Sequence, residues 1–125
     1  MSGDRILLDT HILLWALNEP ERLSAHHRAL LADDATLVVS AVSIWEIAIK
    51  STLGKLTVNA DILDAVRSRN AEFLSITPDH AAYVARVPRL HGDPFDRLLV
   101  AQAICEGLPL MSVDAQLREY GVEIV

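Results

Sequence analysis

The sequence has little of what marks a disulfide-rich, membrane-spanning or nucleotide-binding chain. It contains one cysteine, Cys105, which excludes an internal disulfide and fits a reducing cytoplasm. No apolar run approaches the length of a membrane span, and the N-terminus has neither the basic segment nor the cleavage site of a signal peptide. Neither a glycine-rich phosphate loop nor a Ser/His/Asp nucleophile set is apparent. We therefore expect a cytoplasmic protein with no membrane segment.

Positive charge is also scarce. The chain has 11 basic and 17 acidic side chains, and its net charge of −6 argues against a protein that holds nucleic acid by net charge alone. The same balance leaves room for a nuclease whose acidic pocket is filled by divalent cations, and it suits a basic protein partner. With 125 residues and 51% apolar composition, residues 1–125 are expected to form a single domain with a sizeable core.

Short apolar runs alternate with helical patterns along the chain. We predict strands over residues 5–9, 36–40, 72–76, 108–112 and 122–125. The predicted helices cover residues 12–17, 20–32, 43–53, 61–69, 77–87, 93–107 and 115–120, and residues 88–92 are predicted to be a loop. This alternation predicts an α/β fold, a three-layer α/β/α sandwich with a mostly parallel central sheet.

Two helix starts carry strong local signals. Asp93 precedes a proline that suits the first helical position, so Asp93 is predicted to be the N-cap and Asp96 a first-turn residue. Ser43 and Glu46 have the spacing of a capping box, a serine followed three residues later by a glutamate. Whether Asp96 is only a favourable first-turn charge or a functional group depends on whether other acids lie near it.

Acidic residues fall at one predicted edge of the sheet. Asp9 ends the first strand, Glu46 opens the helix after the second, and Asp114 follows the fourth. Asp96 opens the helix that leads into the fourth strand. Because ligands of open α/β sheets bind beyond the carboxyl ends of the strands, we expect these side chains to converge on a site.

Each of these acids also has an ordinary structural explanation. Asp9 suits a turn, and Glu46 suits the capping box. Asp96 suits the dipole of a helix N-terminus, and Asp114 suits a cap of the last helix. A cluster of all four is harder to explain this way, because carboxylates within a few ångströms of each other repel unless a cation binds or one carboxylate is protonated.

The side chains available as metal ligands favour a hard cation. Carboxylate oxygens, without a cysteine or a histidine pair, favour magnesium or manganese over zinc. A magnesium-bearing acidic cluster suits phosphoryl transfer, in which water is the expected nucleophile and a phosphodiester the expected substrate.

Four ordered motifs carry a family resemblance along nearly the whole chain. They are Leu7–Trp15, Ser43–Lys50 with the following Leu53–Leu56, Asp93–Ala103 and Ser112–Asp114. Together they resemble the motifs of PIN-domain proteins, in particular the VapC-type toxins of bacterial toxin–antitoxin pairs. Many family members have threonine at the position of Ser112, which is a conservative difference.

The resemblance implies a magnesium-dependent endoribonuclease that acts on structured RNA such as tRNA. It also implies a homodimer, silenced by a cognate VapB-like antitoxin in a toxin–antitoxin hetero-oligomer. The family's metal-binding acids correspond to Asp9 and Asp96, and Glu46 and Asp114 complete the catalytic pocket. Thr10 and Ser112 match supporting hydroxyl positions, and Asp93 matches a recurrent acid for which the N-cap role suffices.

Other functions remain open from the sequence. The same pocket would serve a metal-dependent DNA nuclease or phosphatase, and a catalytically idle module could use the acids only to grip a basic partner. Lys50, four residues after Glu46 on one helix, is explained equally well by an ion pair and by a phosphate contact. Trp15 and Trp45 are expected to be core or dimer contacts before base-stacking surfaces.

Overall fold

The computed structural model describes residues 4–58, 61–88 and 93–125. At its centre is a parallel sheet of four strands, β1 (Arg5–Leu8), β2 (Thr36–Ser40), β3 (Glu72–Leu74) and β4 (Leu110–Met111), in the order β3-β2-β1-β4. The strand order reverses at β1, which pairs with β2 on one side and β4 on the other. A crevice for ligands is expected at such a reversal, beyond the carboxyl ends of the strands.

Helices lie on both faces of this sheet. They are α1 (Thr10–Asn18), α2 (Ala25–Ala32), α3 (Ala41–Thr52), α4 (Ile62–Ser68), α5 (Pro78–Tyr83) and α6 (Pro94–Glu106). Neighbouring strand residues point to opposite faces, so Leu7 packs in one apolar cluster with α6, whereas Ile6 and Leu8 pack in another with α1. The predicted three-layer α/β/α architecture is confirmed. In the described part of the chain, no helix is long and apolar enough to cross a membrane.

The predicted helix over residues 20–32 is wrong as a single element. A 3-10 helix spans Pro20–Arg22, and α2 then begins afresh at Ala25. Ser24 separates them because its side chain accepts the backbone N–H of His27 at 3.0 Å, which makes it the N-cap of α2.

The predicted strand over residues 122–125 is also wrong. The segment makes only an isolated parallel bridge between Leu110 and Ile124. The helix before it, Ala115–Tyr120, is a 3-10 helix, closed by Gly121 at a φ of 81° in the left-handed region. The predicted loop over residues 88–92 lies outside the described residues except for Pro88.

The predicted capping box of Ser43 and Glu46 is not formed. Helix α3 begins at Ala41, and its N-cap is Ser40, whose hydroxyl accepts the N–H of Val42 at 2.9 Å. Ser43 and Glu46 are therefore both inside the helix, where their side chains are buried. This places Glu46 in the second turn of α3, with its side chain available for a role other than capping.

A buried polar network joins α5 and α6 and was not predicted from the sequence. The fully buried His80 accepts hydrogen bonds at Nδ1 from the Thr77 N–H at 3.0 Å and from the Gln102 amide at 3.2 Å. These donors assign the ring proton to Nε2, which lies 2.9 Å from Glu106 Oε2. The carbonyl of the Gln102 amide accepts the hydroxyl of Ser40, so the network reaches the start of α3.

Replacing His80 by alanine is expected to destabilise the fold by about 3 kcal/mol. The change leaves a cavity, and it leaves the N–H of Thr77 and the amide of Gln102 without their hydrogen-bond acceptor. The midpoint of urea unfolding measures this loss. His26→Ala is the control, because His26 is exposed on α2. Equal unfolding midpoints for the two variants would contradict the structural role of the network.

Candidate metal centre

Asp9 lies at the carboxyl end of β1, buried, with 4% of its surface exposed. It is the N-cap of α1, and its Oδ1 accepts the N–H of Thr10 at 2.7 Å. Its Oδ2 accepts the hydroxyl of Ser112 at 2.7 Å. Ser112 follows β4, the strand paired with β1, so the sheet itself brings these two residues together.

Ser112 connects Asp9 to Asp114. While its hydroxyl donates to Asp9, the oxygen accepts the N–H of Asp114 at 3.0 Å. The Asp114 carboxylate caps the following 3-10 helix by accepting the N–H of Gln116 at 3.0 Å. Asp114 is half-buried beside the carboxyl end of the sheet, and it has the capping role that is the ordinary structural explanation of its position.

Glu46 lies on α3, and its side chain is almost fully buried. Its Oε2 pairs with the Lys50 ammonium at 2.5 Å, whereas its Oε1 is buried without a hydrogen-bond partner among the described residues. One turn earlier, the Ser43 hydroxyl lies 2.9 Å from the hydroxyl of Thr10. This buried hydrogen bond ties α3 to the start of α1, directly after Asp9.

Asp96 is a half-buried residue in the first turn of α6. Asp93 is the N-cap, as predicted, and its Oδ1 accepts the N–H groups of Phe95 at 2.8 Å and Asp96 at 3.3 Å. Phe95 packs edge-on against Trp45 of α3, with 5.0 Å between ring centroids. That contact sets α6 against the helix that carries Glu46.

The electrostatics show that the acids lie near one another. Burial raises the pKa of Asp96 to about 7, and repulsion from Asp9, Asp93, Glu46 and Asp114 adds to this rise. Burial also raises the pKa of Asp9, with Glu46 adding to the effect and the Ser112 hydrogen bond opposing it. The neighbouring carboxylates thus make Asp96 in particular harder to ionise, an effect that a bound cation would reverse.

The carboxylate oxygens of this cluster are the kind of ligand that a divalent cation prefers. As the side chains stand, no group of three or more His, Cys, Asp or Glu residues among the described residues could hold a metal ion. The acids have internal partners instead: Asp9 bonds to Thr10 and Ser112, and Glu46 bonds to Lys50. A cation at this edge would nevertheless stabilise the acids in two ways. It would give the buried Oε1 of Glu46 a partner, and it would offset the repulsion between Asp96 and its neighbouring carboxylates.

Two residues have roles that the sequence left undecided or missed. Lys50 makes the ion pair with Glu46, and the fields of Glu46, Asp93 and Asp96 together favour its protonated form and raise its pKa. Ser43 bonds to Thr10 and caps no helix. No sequence signal identifies that contact, because Thr10 and Ser43 are 33 residues apart and meet only through the packing of α1 against α3.

Comparison with known proteins agrees with this architecture. The model of the PIN domain family matches residues 6–123, a range that includes all of the acids described above. Ribonuclease VapC22 of Mycobacterium tuberculosis (strain ATCC 25618 / H37Rv) is 31% identical over 118 residues, covering 92% of this chain and 91% of that protein.

Solved structures share the fold at lower sequence identity. VapBC2 from Rickettsia felis, bound to a DNA fragment from its promoter, contains a chain with a TM-score of 0.73 and 18% identity, with 97% of each chain covered. DNA-bound VapBC from Salmonella typhimurium contains one with a TM-score of 0.68 and 19% identity, with 98% of this chain and 97% of that chain covered. The chain belongs to the PIN-domain family, as a relative of the VapC-type ribonucleases.

Proposed function

We propose that this protein is a magnesium-dependent endoribonuclease, the toxin of a type II toxin–antitoxin system that acts in the cytoplasm. The observation that carries the proposal is the convergence of acids around Asp96, whose carboxyl lies in the field of Asp9, Asp93, Glu46 and Asp114. Similarity to a protein named as a ribonuclease supports RNA as the substrate. The chain would act as a single PIN domain over residues 1–125.

Asp9 and Asp96 are proposed to hold magnesium, or manganese, with Glu46 and Asp114 completing the set. When bound, the ion supplies the positive charge that offsets the carboxylates and lowers the pKa of water for attack on phosphorus. Ser112 holds Asp9 in place through its hydroxyl, and Thr10 anchors the start of α1 through Ser43. Asp93 keeps its structural role as N-cap, which fixes the direction of Asp96.

The proton transfer that hydrolysis requires is assigned to a carboxylate of the acidic pocket. Hydrolysis forms a bond between the water oxygen and phosphorus and breaks a phosphorus–oxygen ester bond, whose electron pair leaves with the ester oxygen. The attacking water releases one proton, and the leaving oxygen takes up one. Glu46 or Asp114 is proposed to orient that water or accept its proton. Glu46 is well placed because one of its carboxylate oxygens has no hydrogen-bond partner among the described residues.

A side-by-side assay tests the substrate. We expect purified protein with magnesium to cleave structured RNA such as tRNA, and to leave single-stranded DNA and a small phosphate ester intact. Preferential cleavage of DNA or of the ester would replace this proposal by a DNA nuclease or phosphatase. No cleavage of any of the three would favour a partner-binding module.

A VapB-like antitoxin is the proposed partner, and the active protein is proposed to be a homodimer within a toxin–antitoxin hetero-oligomer. The similar chains in solved structures come from complexes named VapBC. An acidic pocket on a chain of net charge −6 favours a partner segment that places arginine or lysine among the carboxylates.

Inhibition is therefore expected to depend on basic residues of the antitoxin. A peptide from the partner's toxin-binding segment should inhibit RNA cleavage, and replacing an arginine or lysine that enters the pocket by glutamine should weaken inhibition by about tenfold or more. The inhibition constant of each peptide measures this. Equal inhibition by both peptides would contradict insertion of a basic side chain.

A further inference from the structure

A groove between α1 and α3 opens beside the acids. It encloses about 510 Å³, within the range of roughly 300–1,000 Å³ typical of ligand sites. Its polar, charged and aromatic lining includes Thr10, His11, Trp15, Arg22, Glu46 and Lys55. Thr10 and Glu46 are buried and belong to the candidate metal centre, whereas His11, Arg22 and Lys55 are exposed. The groove thus leads from Thr10 and the Glu46 carboxylate to the surface.

The exposed part of the groove combines aromatic rings with positive charge. The rings of His11 and Trp15 lie 6.0 Å apart, and the Arg22 guanidinium lies 4.7 Å from the centre of the Trp15 ring. Arg22 and its partner Glu19 are both about half-exposed, so this ion pair is weak and easily rearranged. The Trp15 face is therefore a surface on which a planar group already stacks and from which it can be displaced.

The groove lining has one more basic than acidic side chain, because Glu19 and Glu46 lie in it together with three cations. Arg22, Lys50 and Lys55 all line the groove. Lys50 is held by Glu46, but the Lys55 ammonium has no ion-pair partner among residues 4–58, 61–88 and 93–125. A cation and an aromatic surface in one groove are the combination that binds a phosphate and its unpaired base in single-stranded nucleic acids.

We propose that this α1–α3 groove binds an unpaired nucleotide of the RNA next to the bond that is cut. The base stacks on Trp15, and Lys55 contacts a backbone phosphate. A base inside a duplex has both faces covered by its neighbours, so the groove selects single-stranded loops or ends of a structured RNA. The inference rests on the proposed ribonuclease function, because a nucleotide in this groove lies next to a cleaved bond only if the neighbouring carboxylates serve RNA hydrolysis.

Tryptophan fluorescence tests the stacking contact directly. The chain has two tryptophans, so Trp45→Phe leaves Trp15 as the only reporter. Combined with Asp96→Asn to prevent cleavage, this variant should show strong quenching on titration with a single-stranded RNA octamer, and weak quenching with the same sequence as a duplex. Trp15→Phe in the Asp96→Asn background, which keeps Trp45, should show little quenching. Equal quenching by duplex and single strand would overturn the proposal.

Charge reversal tests the phosphate contact. Lys55→Glu should weaken octamer binding by about tenfold and reduce the slope of log affinity against log salt by about one. Arg28→Glu is the matched control, because Arg28 is exposed on α2 and does not line the groove. Equal effects of the two charge reversals on RNA affinity would overturn the phosphate contact. Quenching of Trp15 by an arginine-rich peptide but not by RNA would also overturn it, because the groove would then be a protein-docking site.

Cleavage of structured RNA by the wild type is measured separately. Absence of that cleavage would count against the proposed function, whereas the groove is judged by quenching and affinity in a variant that does not need to cleave. With cleavage present, Lys55→Glu should raise KM and leave kcat nearly unchanged. A fall in kcat alone would place Lys55 outside substrate binding.

Discussion

Asp96→Asn is expected to abolish RNA cleavage while making the metal-free protein more stable. The activity should fall by on the order of 10²–10³-fold, because the variant loses a charged ligand at the centre of the acids. Stability should rise, because burial and four neighbouring acids make the ionised Asp96 unfavourable at neutral pH. The melting temperature should increase by about 3–6 °C for each kcal/mol gained.

Opposite movement of activity and stability separates a functional carboxylate from a structural one. Asp64→Asn is the control, since Asp64 is an exposed first-turn acid of α4 whose ion pair with Arg67, at 4.0 Å, is long and solvent-exposed. It should leave both cleavage and melting temperature almost unchanged. A loss of stability in Asp96→Asn, together with full cleavage activity, would contradict the proposed role of Asp96.

The stability of the metal-free protein is expected to fall as the pH rises from about 4 to about 7. The pKa of Asp96 is raised to about 7 in the folded protein, from its usual value of 3.8, so the folded state binds this proton more tightly than the unfolded chain does. The resulting stabilisation is complete below the unfolded pKa and is lost as the pH passes through the folded one. The raised pKa of Asp9 acts in the same direction.

Thermal unfolding between pH 4 and pH 8 measures this effect, and Asp96→Asn isolates it from all other ionisable groups. The wild type should lose stability relative to the variant across this range. Millimolar magnesium should stabilise the wild type more at pH 8 than at pH 5, because the carboxylates must be ionised to bind it. Parallel curves for wild type and variant, with or without magnesium, would contradict the electrostatic account.

Local patterns allowed much of the fold to be predicted. The apolar runs before Asp9 and around Val38 have the length and composition of buried strands, and Asp93-Pro94 marks the start of α6. The failures have physical causes. Ser24 interrupts the pattern over residues 20–32 by capping a new helix, and Ser40 outcompetes Ser43 as the cap of α3 because it lies at the end of β2.

The proximity of the acids followed from topology, but their individual contacts did not. Parallel strands place Asp9 and Ser112 at one edge, whatever the details of packing. The ion pair of Glu46 with Lys50 was one of two alternatives that sequence spacing allowed. The contact of Thr10 with Ser43 and the network around His80 depend on how helices pack against each other, and periodicity carries no information about that.

Dependence of cleavage on a divalent cation tests the central claim most directly. Purified protein is incubated with a tRNA in magnesium, then with excess EDTA, and finally with magnesium restored above the chelator. Cleavage should stop on chelation and return with magnesium, and Asp96→Asn should stay inactive throughout. Cleavage that continues unchanged in EDTA would contradict the dependence of this protein on a divalent cation.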